Sequence, residues 1–501
     1  VDSTGDVGKY CSIATDCDHK VHISYYSKLG YYDKALKYAT NLSGNWISYI
    51  LDSSSSDSGK YTSIVTDSNS HVHISYYHLD PGGEFEEGIL RYITNVSGSW
   101  IFYNLHREND KNNGKYTSIA IDSNNKLHIS YYGRSTGFRP GPGIMYATNA
   151  SGYWYKKKVD SVYLNYDFID EPGTSIAVDS NNKIHIAYIA IDKGDCQRQY
   201  CAYWSGNTCR VYIKYATNKN GYWTAETVYQ YYGDTEYLYP PSIAIDSNNK
   251  VHIAFTYCDY CVDKLYYATN ASGSWNVIDE CKGEGGLPPC LNTTPYAGLY
   301  PSISIDPNNR IHISHSEWSY GRLWYTTNAG GVWKAYVGDS ESGYIEDTSL
   351  DYDQKVHIAY YEKINKDLLY ATCSNIPDLV ITSISNPPAS AYRGSSFRVT
   401  DTVKNGVPPC GAGSRVGSTT TYYRLSTDTK ITGSDPLLTG NRHVPSLVGG
   451  ASSTGAVTVT IPISLTPGIY YLGACADSEY NISEENENNN CRASTTTIRV
   501  Y

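Results

Sequence analysis

Short runs in which apolar and polar side chains alternate recur along the chain, separated by clusters of Ser, Asn, Asp and Gly. An alternation of period two, broken by turn formers, is the pattern of half-buried β-strands. Residues 242–278 show the unit most clearly: SIAID, then KVHIAFTY, then KLYYATN, then a run opening at Trp275. We name these predicted strands a to d. Ser-Asn-Asn supplies the a–b turn and Asn-x-Ser-Gly the c–d turn, both rich in residues that tolerate tight turns. No run of eighteen apolar residues occurs, so no membrane-spanning helix is predicted.

The unit repeats. An Asp is followed six positions later by a His at Asp16/His22, Asp67/His73, Asp122/His128, Asp179/His185, Asp246/His252, Asp306/His312 and Asp351/His357. Six copies then carry an Asn with a Trp five positions on: Asn41/Trp46, Asn95/Trp100, Asn149/Trp154, Asn218/Trp223, Asn270/Trp275 and Asn328/Trp333. Four antiparallel strands at this spacing describe a propeller blade. The expectation is an all-β chain with a seven-bladed β-propeller over residues 1–375. The Trp-bearing turn TNASGSW resembles a degenerate Asp-box, the hairpin of sialidase-like propellers, with Asn where that family has Asp. That resemblance implies a scaffold, and scaffolds of this kind host many functions.

The seventh copy stops after strand c, at LLYATCSN (368–375). The opening residues VDSTGDVGKY match the end of the junction LDSSSSDSGKY (51–61). The chain therefore starts just past the place where a ring-closing strand belongs. Either the last blade has three strands, or another chain supplies the fourth, and an exposed edge is a template for pairing.

Beyond residue 375 the Asp–His units cease. Alternating runs FRVTDTVKN, TTTYYRLS, AVTVTIPI, GIYYLGACAD and TTTIRV predict a small β-sandwich over 376–501. Asp378-Leu379-Val380, Val403, Asn405-Gly406, Tyr423-x-Leu425-Ser426-x-Asp428, Gly468-x-Tyr470 and ADSEYNISEENENNN (476–490) carry a resemblance to the CARDB family, the cell-adhesion-related domain. It implies an Ig-like extracellular module without catalysis. Pro408-Pro409-Cys410 departs from that family's short turn.

Composition narrows the function. Forty Lys plus Arg against 50 Asp plus Glu give a net charge of −10, which argues against a nucleic-acid partner. Tyr numbers 52 against 6 Phe, an aromatic content weighted to hydroxyl-bearing rings. Thirteen Cys suggest an oxidising compartment, and a start at Val1 fits an exported chain whose signal peptide has been removed.

Repetition separates architecture from chemistry. A catalytic group is required once, whereas the Asp/His pair recurs in every unit, so it reads as scaffold and no catalytic or metal site is assigned to it. A sialidase needs an arginine cluster, and no such trio opens the predicted a strands. Insertions interrupt the b–c and d–a connections at 78–88, 133–143, 191–210, 258–261 and 280–300, and those connections share one face. Tyr200, Tyr203, Trp204, Tyr257, Tyr260 and Tyr296 on these insertions are candidates for stacking on sugar rings, or for packing the insertions down.

Disulfides are expected for Cys281–Cys290 and Cys475–Cys491, and among Cys196, Cys201, Cys209, Cys258 and Cys261. Cys11 pairs with Cys373 or with Cys17, and Cys410 is left for a free thiol or another chain. Six sequons, at Asn41, Asn95, Asn149, Asn270, Asn292 and Asn481, are glycosylation candidates. Asn218 and Asn328 hold the same turn position without a sequon, so the Asn also serves the turn. The acidic run Glu479–Glu487 with Asn488–Asn490 is a calcium candidate but needs no ion as a hairpin loop; no cofactor is otherwise expected. The resulting reading is a non-enzymatic, extracellular structural or adhesive protein, partnered by itself or by cell-surface components. A lectin-like glycan binder and a sialidase-type hydrolase are the alternatives.

Overall fold

The computed structural model describes all residues except 29–33, 54–56, 81–86, 108–111, 136–140, 162–172, 201–204, 235–237, 259–262, 279–296, 318–320, 329–332, 340–344, 351–354, 363, 373–376, 407–415, 478–481, 483 and 485–487. Every regular element among the described residues is a strand. No helix is long and apolar enough to cross a membrane. The chain divides into two units, Val1–Thr372 and Cys373–Tyr501.

The first unit holds six four-stranded antiparallel sheets, at residues 6–52, 58–107, 115–161, 174–234, 242–278 and 297–339. A three-stranded sheet at 345–372 follows, so among the described residues six four-stranded sheets stand where the repeat count predicts seven. Each sheet is a simple meander, strands a to d in sequence order. Strands a of successive sheets pack side by side in a propeller-like arrangement, and strand a of the last sheet, Ile345–Leu350, also packs on Asp6–Thr15 of the first.

Hydrophobic clusters lie between neighbouring sheets. Ala14 and Leu36 of the first sheet, for example, pack with Ile64, Ile74 and Tyr76 of the second. Strand b is buried along its length, as in Val21–Lys28 with Ile23 and Tyr25 at 0% exposure. A strand covered on both faces reads as a nearly continuous apolar run, which is why VHISYY lacks the clean alternation of the outer strands.

Polar latches fix the spacing of the sheets. The Ser of the strand a motif accepts a backbone N–H from the next sheet: Ser12 from Ile64 at 3.1 Å, Ser63 from Ile119 at 3.1 Å, Ser118 from Ile176 at 3.2 Å and Ser242 from Ile303 at 3.1 Å. A second series links Thr to Ser hydroxyls, Thr62 to Ser24, Thr117 to Ser75 and Thr174 to Ser130, each at 2.8 Å.

The second unit is a β-sandwich. Leu379–Ile384, Ser396–Asn405 and Ser452–Thr460 form one side. Leu437–Val444, Thr419–Ser426, Gly468–Cys475 and Cys491–Val500 form the other, with Ser390–Ala391 added in parallel. A single pairing, Thr439 with Thr460, joins the two sides. Leu379, Val399, Val403, Tyr423, Leu425, Val459, Leu472 and Ile498 fill the interior. Buried Asp401 is held by Arg442 at 2.5 Å and by the Tyr423 hydroxyl, so this charge is paired within the core.

Candidate interaction surfaces

The recurring Asp and His are buried parts of the scaffold. Oδ1 of Asp16 accepts the backbone N–H groups of Asp18 and Lys20, both at 2.9 Å, and shapes the a–b turn. Asp67, Asp122, Asp179, Asp246 and Asp306 repeat that bonding. The His turns Nδ1 to the strand c tyrosine, as in His22–Tyr38, His73–Tyr92, His128–Tyr146 and His185–Tyr215 at 2.6 Å. His252–Tyr267, His312–Tyr325 and His357–Tyr370 follow suit. Nε2 faces the Asp at 3.2 Å in the first sheet and at 3.4–3.8 Å in the next five. Asp351 lies outside the described residues. Burial holds His22, His73, His128, His185 and His252 below the ordinary imidazole range, against the pull of their Asp. No metal-ligand cluster occurs among the described residues.

The same tyrosines receive the repeat tryptophan of the following sheet edge-on. Trp100 meets Tyr38 at 5.2 Å, Trp223 meets Tyr146 at 5.2 Å, and Trp46 meets Tyr370 at 5.1 Å. The c–d turn Asn accepts the N–H that opens strand b: Asn41 from Val21, Asn149 from Leu127 and Asn270 from Val251, all at 2.8 Å. Asn95 does the same with Val72. So do Asn218 with Ile184 and Asn328 with Ile311, which lack sequons. Asn292 and Asn481 lie outside the described residues.

Of the stacking candidates, Tyr257 packs against Tyr231 at 4.8 Å and Tyr266 at 5.2 Å. Tyr200 ends a long strand, Ile184–Tyr200, but its side chain is not described; Tyr203, Trp204, Tyr260 and Tyr296 lie outside the described residues. Cys475 and Cys491 form a disulfide. Cys209 is disulfide-bonded, and Cys196 stands opposite it in the strand register. Cys258 ends strand Val251–Cys258, its side chain not described. Cys11 and Cys17 do not join. Cys11 is buried in strand a, and Cys17 is a free thiol exposed in the turn, its Sγ 3.1 Å from Ser70 Oγ. Six positions of largely extended chain part them by roughly 20 Å, and a disulfide needs Cα atoms within about 7 Å. The alternative pairing, Cys11 with Cys373, falls on Cys373, outside the described residues. Cys201, Cys261, Cys281, Cys290, Cys373 and Cys410 lie outside the described residues, as do Glu479 and Glu487 of the acidic run. Asn490 of that run donates to buried Glu484 at 2.9 Å, and Glu484 accepts the N–H of Leu379, so the hairpin binds its own carboxylate.

A feature missed in the sequence is a row of half-buried tyrosines opening the first three a strands, Tyr10, Tyr61 and Tyr116. Tyr10 and Tyr61 ring centroids are 4.7 Å apart, and Tyr61 and Tyr116 4.2 Å. All three have left-handed backbones, with φ of 54°, 53° and 51°, an uncommon state for a bulky residue. The tripeptide Gly-Lys-Tyr at 8–10, 59–61 and 114–116 was the available signal.

The strand c edge of the last sheet differs from that of the first. In the first sheet strand c, Lys34–Thr40, is covered by strand d through Leu36↔Asp52, Lys37↔Ile50, Tyr38↔Tyr49, Ala39↔Ser48 and Thr40↔Ile47. In the last sheet, among the described residues, strand c (Asp367–Thr372) meets one residue on that side, Asp2, bridged to Leu368. Asp2 thus occupies the place of Asp52, as the matching of Val1-Asp2 with Leu51-Asp52 anticipates. Burial follows pairing: Leu36 to Thr40 are all buried, whereas Leu369, Tyr370 and Ala371 are partly exposed and Thr372 is exposed. The outer strands d of the first two sheets are alike: Ile47, Tyr49 and Ile50 of Ile47–Asp52 are 41%, 47% and 52% exposed, and Ile101, Phe102 and Tyr103 of Ile101–Arg107 are 41%, 53% and 45%.

Comparison with known proteins adds the following. Residues 376–494 match the CARDB family model. The CARDB domain of the PF1109 protein of Pyrococcus furiosus, solved with di-metal ions, is 24% identical, covering 25% of this chain and 96% of that one, with a TM-score of 0.19. A Trypanosoma rangeli sialidase with sialic acid is 11% identical over 94% of this chain and 82% of its own, TM-score 0.36. A GH93 α-L-arabinofuranosidase of Fusarium graminearum with arabinobiose is 12% identical over 67% and 93%, TM-score 0.40. No curated protein matches the chain. The chain is therefore an all-β protein in which a propeller-like arrangement of sheets precedes a C-terminal, Ig-like CARDB domain.

Proposed function

We propose that this is a non-enzymatic structural or adhesive protein of the cell exterior, a seven-bladed propeller that assembles by strand donation to the exposed edge of its last blade. The observation that carries this reading is the contrast between the covered edge at Leu36–Thr40 and the exposed one at Leu369–Thr372. An exposed strand edge with apolar side chains favours pairing with another chain. The adhesion-related C-terminal domain and the Cys475–Cys491 disulfide support an extracellular setting. The buried Asp/His pairs, bonded to their own turns and tyrosines, support a scaffold role over a catalytic one.

Negative-stain microscopy and sedimentation of the purified chain test the proposal. Filaments or concentration-dependent oligomers are expected; dispersed monomers at high concentration, or turnover of a fluorogenic sialoside or arabinofuranoside, overturn it. A glycan-binding role is the second reading, favoured by the Tyr10–Tyr61–Tyr116 row, and binding to a glycan array that is lost in Tyr61→Ala and kept in Tyr61→Phe decides it.

A further inference from the structure

The a–b and c–d turns leave each sheet at the same end, where the c–d turn Asn bonds the first N–H after the a–b turn. Neighbouring a–b turns are also bonded to one another. The Ser123 hydroxyl donates to Asn182 at 3.0 Å and that of Ser180 to Asn249 at 2.9 Å, so the turns of the third, fourth and fifth sheets form one continuous surface. Each of these turns ends in a lysine, Lys126, Lys183 or Lys250, whose ammonium group has no ion-pair partner among the described residues. Lys219, exposed in the c–d turn of the fourth sheet, adds a cation where the other copies hold Leu, Val or Ala. The carboxylates beneath, Asp122, Asp179 and Asp246, are 6%, 7% and 8% exposed and are turned to backbone N–H groups and to His. Glu226 of the adjoining strand d accepts the Trp275 indole N–H at 2.9 Å. This end therefore presents positive charge to solvent on a chain whose total is −10.

Resting on the adhesive, cell-exterior reading above but not on assembly, we propose that this end of the third to fifth sheets binds an acidic polysaccharide. Three kinds of group that such a ligand needs lie together here. The lysines meet its carboxylate or sulfate groups. The middle Asn of each Ser-Asn-Asn turn is exposed and offers amide donors and acceptors to sugar hydroxyls. Tyr153 and Tyr222, in the c–d turns of the third and fourth sheets, are 83% and 64% exposed and offer flat faces for stacking on sugar rings. The turn does not require those rings, since the first, second and fifth copies hold Asn45, Ser99 and Ser274 at the same position. Both tyrosines and Lys219 are thus departures from the repeat, gathered on the sheets where the lysine row is continuous. Several weak contacts of this kind add along a chain of repeating sugars. Nucleic acid fits less well: a duplex carries one charge per about 1.7 Å, whereas these cations are spaced one per turn on an acidic protein.

Binding of polygalacturonate and of dextran sulfate to the full chain, made without glycosylation, tests this at low and at physiological salt, with neutral dextran and duplex DNA as comparators. At least one acidic polymer should bind, more weakly as salt rises, and neutral dextran should not. Lys126→Gln with Lys183→Gln and Lys250→Gln should weaken binding about tenfold at low salt and flatten its salt dependence. Lys9→Gln with Lys28→Gln and Lys366→Gln, an equal loss of charge at the opposite end of the sheets, should change it little. Tyr153→Ala with Tyr222→Ala should weaken binding alike at both salts, because stacking carries no charge. Tyr61→Ala, at the other end of strand a, should leave it unchanged, which separates this site from the Tyr10–Tyr61–Tyr116 row. All variants should keep the wild-type circular dichroism. No binding of either acidic polymer, equal loss in the two lysine variants, or tighter binding of DNA with the same variant dependence overturns the proposal, while microscopy and sedimentation still decide the structural reading. Cleavage of the bound polymer overturns both.

Discussion

Asp2 and Leu368 exchange both of their backbone hydrogen bonds, Leu368 N–H to Asp2 at 2.9 Å and Asp2 N–H to Leu368 at 3.4 Å. The Asp2 carboxylate meanwhile faces the first sheet, where it accepts from the Tyr25 hydroxyl at 2.6 Å and from Lys37. One residue thus ties the last sheet to the first by main chain and side chain together. Gly8 reinforces the junction: its φ is +106°, and a Cβ there would come within 2.9 Å of Leu368 Cα, as one on Gly59 would meet Leu36 at 2.6 Å.

Breaking this junction is expected to be costly. Asp2→Ala leaves Lys37, 5% exposed, without its carboxylate, and stripping one partner from a buried pair costs about 3–5 kcal/mol. Denaturant unfolding of the variant should show that loss. A cost under about 1 kcal/mol, the size of a surface pair, would contradict the assignment of Asp2 as a ring-closing latch.

Acid should weaken the fold in two stages. Five scaffold histidines are held by burial below the ordinary value of 6.5, and His78 falls to about 4. The unfolded chain therefore binds protons first, so their stabilisation is full above pH 6.5 and drains away as pH falls toward the folded values. Burial raises Asp2 and Asp306, but for Asp2 the hydrogen bonds of Lys37 and Tyr25 prevail, and for Asp306 those of His312 and Arg310, which hold it at about 2. Their contribution is present above pH 4 and lost below it. Melting temperatures at pH 7.5, 5.5 and 3.5 should descend throughout, and a flat profile between 7.5 and 5.5 would refute the histidine part.

The c–d turn Asn should matter whether or not it lies in a sequon. Asn218→Ala and Asn270→Ala each remove an acceptor from a strand b N–H, an expected loss of about 1–2 kcal/mol apiece. Equal losses in protein made without glycosylation would establish the turn role. A cost at Asn270 alone, seen only in protein made with glycosylation, would instead point to a modification.

Removing the Cys475–Cys491 disulfide should act on the C-terminal unit. Cys475 and Cys491 are 16 positions apart, and a loop of that size contributes roughly 3 kcal/mol. Cys475→Ser with Cys491→Ser should lower the sandwich's own transition in calorimetry and leave that of residues 1–372 in place.

Much of this architecture was legible in the chain. The Asp-to-His interval fixes a turn and a strand because both residues serve one local meander, and the Asn-to-Trp interval does the same for the outer hairpin. Local bonding within about forty residues writes itself into the sequence as a period. The latches between sheets did not stand out. Ser12, Ser63 and Ser118 look like ordinary strand residues until their partners, more than fifty positions away, are seen to donate to them. The disulfide expectations divide along the same line, since Cys475–Cys491 closes a hairpin, whereas Cys11 and Cys17 are parted by the strand between them.

The sequence by itself determined the all-β character, the repeating four-strand unit and the C-terminal sandwich, because alternation and turn chemistry are properties of neighbouring residues. Only the tertiary structure decided how Ser and Thr hydroxyls latch one sheet to the next and that the Asp2 carboxylate lodges on Tyr25 and Lys37. Those outcomes depend on how sheets far apart in the chain meet, and no local pattern encodes the residue that will lie across the gap.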